Sequence, residues 1–211
     1  MLVAASAMTA CFDKPPRPVT TVDGPESQAC TSRDPHDDFM MTMTCGSWGT
    51  PTGNVMEGGG TLTITPADAN PAGCTTTMPA DFSTPVFVAV PIIPSGDGTV
   101  AFFAQATGQG YVSSHVELRM QSGSSYLFVV DDVGRNSLGD LKYDAASMLW
   151  WRLRPAPVGV YGEYSADGIT WLPIGLVPGT PPPAIMISLT AENFSGFADG
   201  SAVFQSFDIC P

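Results

Sequence analysis

Trp150-Trp151-Arg152-Leu153-Arg154, followed by Val160-Tyr161-Gly162-Glu163-Tyr164 and then Ser165-Ala166-Asp167-Gly168-Ile169-Thr170-Trp171, is the stretch from which the fold is read. Its two runs are rich in aromatic and β-branched residues, and Pro155, Pro157 and Gly159 separate them. That pattern predicts two antiparallel strands, with Asp167-Gly168 as a type I′ turn whose two central residues take positive φ. Side chains alternate across a strand, so Trp150, Arg152 and Arg154 share one face while Trp151 and Leu153 share the other. Trp171, just past the turn, is expected to pack down and pin the hairpin.

Working outward, further strands are predicted at 61–65, 86–93, 100–105, 115–120, 126–131, 149–154, 158–164, 184–190 and 202–209. In Val116-Glu117-Leu118-Arg119-Met120 apolar and charged residues alternate, as a half-buried strand requires. Phe102-Phe103 and Leu127-Phe128-Val129-Val130 are apolar on both faces and predict central strands. Turn-forming residues fall between these runs at 94–98, 108–110, 123, 134–139, 178–183 and 196–200. No segment of a dozen residues keeps a helical period, although 138–149 has room for one helical turn. Two packed antiparallel sheets follow, and 211 residues suit one such domain.

Composition agrees with many short strands: 22 glycines and 20 prolines stand beside only 13% charged residues. The net charge of −12 argues against nucleic acid and against acidic lipid headgroups, whose phosphates it would repel. It keeps an exported protein soluble, and it leaves cation binding open as a sharper use. Met8-Thr9-Ala10-Cys11 resembles a bacterial lipobox, so residues 1–11 read as a partial lipoprotein signal with Cys11 as the acylated residue. Residues 12–29 are Pro-rich and aperiodic and read as a tether, leaving 30–211 as the folded domain. The expected location is the bacterial cell envelope, with the membrane touched only through the lipid. The remaining Cys30, Cys45, Cys74 and Cys210 fit no zinc spacing and predict two disulfides, with three pairings open.

The arginine-bearing strand after a tryptophan and the Tyr-Ser-x-Asp-Gly-x-x-Trp ending resemble the back half of concanavalin A-like (laminin G-like) jelly-roll domains of secreted bacterial proteins. Asp37-Asp38-Phe39 with Trp48, Gly58-Gly59-Gly60-Thr61-Leu62-Thr63-Ile64-Thr65, and Phe204-Gln205-Ser206-Phe207-Asp208-Ile209 extend the resemblance over residues 30–211. It implies an all-β, two-sheet antiparallel sandwich. It also implies pairing of Cys30 with Cys210, since first and last strands lie side by side in such folds, and of Cys45 with Cys74. A structural calcium ion is implied at Asp37 or Asp38, Gly59 or Gly60, and Asp208, where carboxylates and backbone carbonyls would supply its oxygens.

Related family 16 glycoside hydrolases carry Glu-x-Asp-x-Glu on one strand, because retaining hydrolysis needs two carboxyl groups about 5 Å apart. Here the glutamates are Glu26, Glu57, Glu117, Glu163 and Glu192, and no two are two or four residues apart. His36 and His115 lack a Gly-x-Ser-x-Gly partner motif. The chain therefore reads as a non-catalytic cell-surface module for carbohydrate or another surface partner, binding on the concave sheet through Trp150, Arg152, Arg154 and Glu163. The alternatives are a glycan-cleaving hydrolase or lyase drawing its acids from Glu163, Asp131, Asp132 or Glu117, and a structural or adhesion protein of the envelope.

Overall fold

The computed structural model describes residues 39–40, 44–45, 48–66, 71–92, 98–106, 115–121, 126–131, 136–193 and 201–209. Cys11, the tether, Cys30, His36, Asp37, Asp38, Asp132 and Cys210 lie outside them.

The predicted alternation becomes fifteen described strands. The first five are β1 (Gly49–Thr52), β2 (Asn54–Gly58), β3 (Thr61–Thr65), β4 (Ala72–Thr76) and β5 (Ala80–Asp81). Then come β6 (Val86–Ile92), β7 (Gly98–Ala106), β8 (His115–Gln121), β9 (Tyr126–Asp131) and β10 (Asn136–Lys142). The last five are β11 (Trp150–Ala156), β12 (Gly159–Ser165), β13 (Leu172–Pro178), β14 (Ala184–Asn193) and β15 (Ala202–Ile209). One sheet has the order β1-β4-β14-β7-β8-β9-β10, with β5 also on β14; the other has the order β13-β12-β11-β6-β15-β3-β2. Described pairings are antiparallel throughout, for example Trp151 opposite Tyr164 and Phe102 opposite Leu118. This is the expected two-sheet jelly roll.

Burial follows the period of two. Val116, Leu118 and Met120 of β8, Ile185, Ile187, Leu189 and Ala191 of β14, and Trp151 and Leu153 of β11 are buried between the sheets. The indole N–H of Trp151 donates to the Met148 carbonyl at 2.9 Å, so the largest core side chain leaves no polar group unmet. Gly162 of β12 points inward where the two sheets pack closely: a Cβ there would collide with Val129 and lie 2.8 Å from Leu118. Trp48 packs on Phe207 with ring centroids 4.9 Å apart, tying the N-terminal segment to the last strand. Cys45 and Cys74 form the expected disulfide. The last strand pairs with β3 and β6 rather than with the first described strand, so the adjacency offered for Cys30 and Cys210 is not that of β1 and β15.

Several elements differ from expectation. β4, β10 and β13 were not read as strands, because small residues and prolines fill them. Gly139 of β10 and Gly175 of β13 explain why: a Cβ on Gly139 would strike the Ile174 carbonyl, and one on Gly175 would sit 2.6 Å from the Leu138 carbonyl. These glycines let the edge strands of opposite sheets meet. β9, expected at the sheet centre, instead lies next to the edge strand β10, with Leu127 and Val129 buried between the sheets. The helical turn is real but short, with the Met148 N–H donating to the Asp144 carbonyl at 2.9 Å. The 165–170 turn is not type I′, since Gly168 has φ +71° while Asp167 is not among the positive-φ residues.

Candidate functional site

The predicted ligand set gathers on the outer face of the second sheet. Register places Arg152 opposite Glu163 and Arg154 opposite Tyr161. Arg152 donates to Glu163 Oε2 from Nη2 at 2.6 Å and from Nε at 2.7 Å, while Arg154 donates to Oε1 from Nη2 at 2.8 Å. Both oxygens of Glu163 are thus occupied, and its side chain is only 6% exposed. The guanidinium of Arg152 stacks 4.2 Å from the Trp171 ring and that of Arg154 4.6 Å from Tyr161. Burial works against the charge of Arg152, and Glu163 restores it. Trp150 and Trp171 flank Phe87 at 6.0 and 6.3 Å, so Trp171 pins the hairpin from outside and not from the core.

The turn below this cluster is held by side chains. Asp167 Oδ1 accepts from the N–H groups of Ile169 and Thr170, each at 2.8 Å, and from the Ser165 hydroxyl at 2.8 Å. Ser165 Oγ in turn accepts from the Gly168 N–H at 2.9 Å. The backbone N–H groups of Thr170 and Ile169 pull the Asp167 carboxyl down to about 2. This face is internally satisfied.

A different set lies on the outer face of the first sheet, on the far side of the shared core. Because Val116, Leu118 and Met120 point inward, Glu117 and Arg119 point outward on β8. Arg119 grips Glu117 with Nε at 2.6 Å from Oε1 and Nη2 at 3.0 Å from Oε2, and Glu117 is 2% exposed. Across β7, the polar residues Ser188, Thr190 and Glu192 of β14 alternate with its buried apolar ones. Glu192 stands opposite Thr99, and Thr190 is level with Ala101 and Arg119. Burial raises the carboxyl of half-buried Glu192; Arg119 opposes this and Glu117 adds to it. The Thr99 hydroxyl is buried beside it and has no hydrogen-bond partner among the described residues.

The sequence reading named Glu117 as a possible acid but gave Glu192 no role. The only signal for it was the polar alternation Met186-Ser188-Thr190-Glu192 within an apolar strand. Asp131 stands at the register position of Val116.

Of the implied calcium positions, Gly59 is in the β2–β3 turn, and the adjacent Gly60 N–H donates to the Phe39 carbonyl at 3.0 Å. Phe39 directly follows Asp38 in sequence. β15 pairs with β3 only as far as Phe204 opposite Leu62, so its final residues, Asp208 included, run past that turn. Among the described residues, no three His, Cys, Asp or Glu side chains cluster to hold a metal.

No known protein-family profile matches the chain, and no curated protein matches it in sequence. Solved structures do. A laminarinase from Flavobacterium sp. UMI-01 superposes with a TM-score of 0.63 at 10% identity, over 83% of this chain and 98% of that one. A prokaryotic β-1,3-1,4-glucanase (lichenase) derived from a mouse hindgut metagenome gives 0.57 at 11%, over 83% and 98%. Crh5 transglycosylase in complex with NAG gives 0.61 at 13%, over 82% of each. These likenesses correct the expectation of a non-catalytic binding module, since they run to glucan-cleaving and transglycosylating enzymes and favour the glycan-cleaving alternative. At such identities what they establish for this chain is its fold, a concanavalin A-like jelly roll.

Proposed function

We propose that the protein is a glycan-cleaving enzyme working on the outer face of the first sheet, with Glu192 as proton donor. The observation that carries this is the pair of glutamates with different partners on one face: Glu117 is gripped by both Nε and Nη2 of Arg119, while Glu192 is half-buried in the next rungs and burial pushes its carboxyl up. Divergent environments of this kind are what acid–base chemistry at neutral pH requires. Glu192 protonates the departing glycosidic oxygen as the anomeric C–O bond breaks and its electron pair goes to that oxygen. The resulting carboxylate then takes a proton from the water, or the sugar hydroxyl, that adds to the anomeric carbon. The fold likeness to glucanases supports the reading. Two glutamates against one arginine, on a chain of net charge −12, select an uncharged glycan over an acidic one.

Release of reducing ends from neutral β-glucans is the direct test. Glu192→Gln is expected to lower kcat/KM by about 100-fold or more with melting temperature nearly unchanged. Absence of turnover by the unaltered protein on β-1,3-, β-1,4- and mixed-linkage glucans, or full activity in Glu192→Gln, would overturn the proposal.

The same proposal includes one structural calcium ion at Gly59, Asp38 and Asp208, stitching the N-terminal segment to the last strand and supplying no step of the reaction. EDTA is expected to lower the melting temperature; an unchanged value in calcium-free buffer removes the ion from the account.

A further inference from the structure

Arg119 has two carboxylates in reach and has taken one. Its rung, Thr190–Ala101–Arg119, adjoins the rung that carries Glu192 and Thr99. Ladder spacing puts the Cα atoms of Arg119 and Glu192 about 12 Å apart, two strands across and one same-face step along. An extended arginine and a glutamate together span that. An ion pair between them would hold Glu192 as a carboxylate, unable to give a proton. What prevents it is Glu117, which occupies both Nε and Nη2 of Arg119 from two residues away on the same strand. The buried hydroxyl of Thr99, with no hydrogen-bond partner among the described residues, is independent evidence of a site here, since a buried polar group left unmet is costly unless something binds it.

We infer that Glu117 is a positioning residue that keeps the Arg119 guanidinium from closing on Glu192, which is left to carry the proton consumed in glycosidic cleavage. This rests on the reading of Glu192 as proton donor. Among the described residues, Arg119 and Glu117, both from β8, are the charged groups acting on Glu192, and Thr99 of β7 is a polar one facing it. No acid is supplied by Glu117 itself.

The test is the Glu117→Gln variant of the full chain, read in two ways. Carboxyl carbon NMR, with the Glu192 resonance assigned by its loss in Glu192→Gln, is expected to show Glu192 titrating at least about one pH unit lower in Glu117→Gln, because one negative charge is lost and the released guanidinium pairs with it; Glu117→Asp, which keeps the charge, must also lower it for the guanidinium's movement to be the cause. The basic limb of the kcat/KM profile on β-glucan is expected to move down with it, while Arg119→Met in the same background restores the original titration. An unmoved Glu192 resonance overturns the inference. A resonance that moves in a protein with no glucanase activity instead supports the positioning role and sinks the functional reading. Should Glu117→Gln not fold, Glu117→Asp keeps the buried charge but cannot hold both guanidinium nitrogens, and it must shift Glu192 the same way by a smaller amount or the inference fails.

Discussion

Each sheet buries a glutamate against arginine on its outer face, yet the two clusters leave different remainders. On the second sheet two arginines meet one glutamate; each carboxylate oxygen is taken, both guanidinium planes rest on aromatic rings, and the surplus is one positive charge. On the first sheet, among the described residues, one arginine faces two glutamates; Arg119 holds Glu117, and Glu192 is half-buried with its carboxyl pushed up by burial. Stoichiometry, more than residue type, separates the clamp from the site proposed on the first sheet. The segment richest in tryptophan and arginine is the clamp.

Breaking the clamp should have the largest effect on stability. Glu163→Ala leaves Arg152 and Arg154 side by side with no counter-charge, which costs about 3 kcal/mol after allowing for the third of Arg154 that is exposed. For a chain of this length that corresponds to a melting-temperature fall of about 10 °C. Calorimetry checks it, and activity per folded molecule should not change; a large loss of kcat with an unchanged melting temperature would erase the contrast between the faces.

A smaller effect of opposite sign is expected on the first sheet. Thr99→Val removes a buried hydroxyl that has no partner, and should stabilise the fold by about 1 kcal/mol. Chemical denaturation measures the gain, and KM for glucan should rise if that hydroxyl meets a sugar hydroxyl.

The smallest effect is in pH dependence, where the faces should slope in opposite directions. Asp167 has its folded value depressed to about 2, so its contribution is present above the ordinary aspartate range near 4 and is lost as pH falls from there to about 2. Glu192 has its folded value raised, so its contribution is present below the ordinary glutamate range and is lost as pH rises through the folded value. Asp167→Asn should flatten the acid side of the stability profile and Glu192→Gln the side above pH 4.5. Unfolding curves across pH in the two variants separate these slopes.

The fold was legible where one face of a strand had to be apolar. Val116-Glu117-Leu118-Arg119-Met120 and Trp151 with Leu153 announce their inner faces directly, and the pairing of Cys45 with Cys74 followed from the resemblance and is found. β4, β10 and β13 were illegible because Gly73, Gly139 and Gly175 are there to let other backbones approach, a reason invisible until those backbones are in place. The turn was misread because an Asp-Gly pair fits a type I′ hairpin, while here Ser165 and Asp167 capture the loop's N–H groups with their own side chains. The Arg152–Glu163–Arg154 grouping was readable from alternation; its saturation was not, since that depends on distances. Glu192 was hidden for a different reason. Its carboxyl is pushed up first by burial and then acted on by charges more than seventy positions earlier, both of which exist only once the β14–β7–β8 ladder has formed.

The meeting of Gly139 with Gly175 bears on how the protein behaves in a crowd. A sandwich with open flanks exposes unpaired backbone donors and acceptors, on which a neighbouring chain can build. Where β10 and β13 press together, the flank is shut by two residues that have no side chain to hold it ajar. The absence of bulk at these two positions therefore leaves less open edge on that flank for a neighbouring chain to pair with.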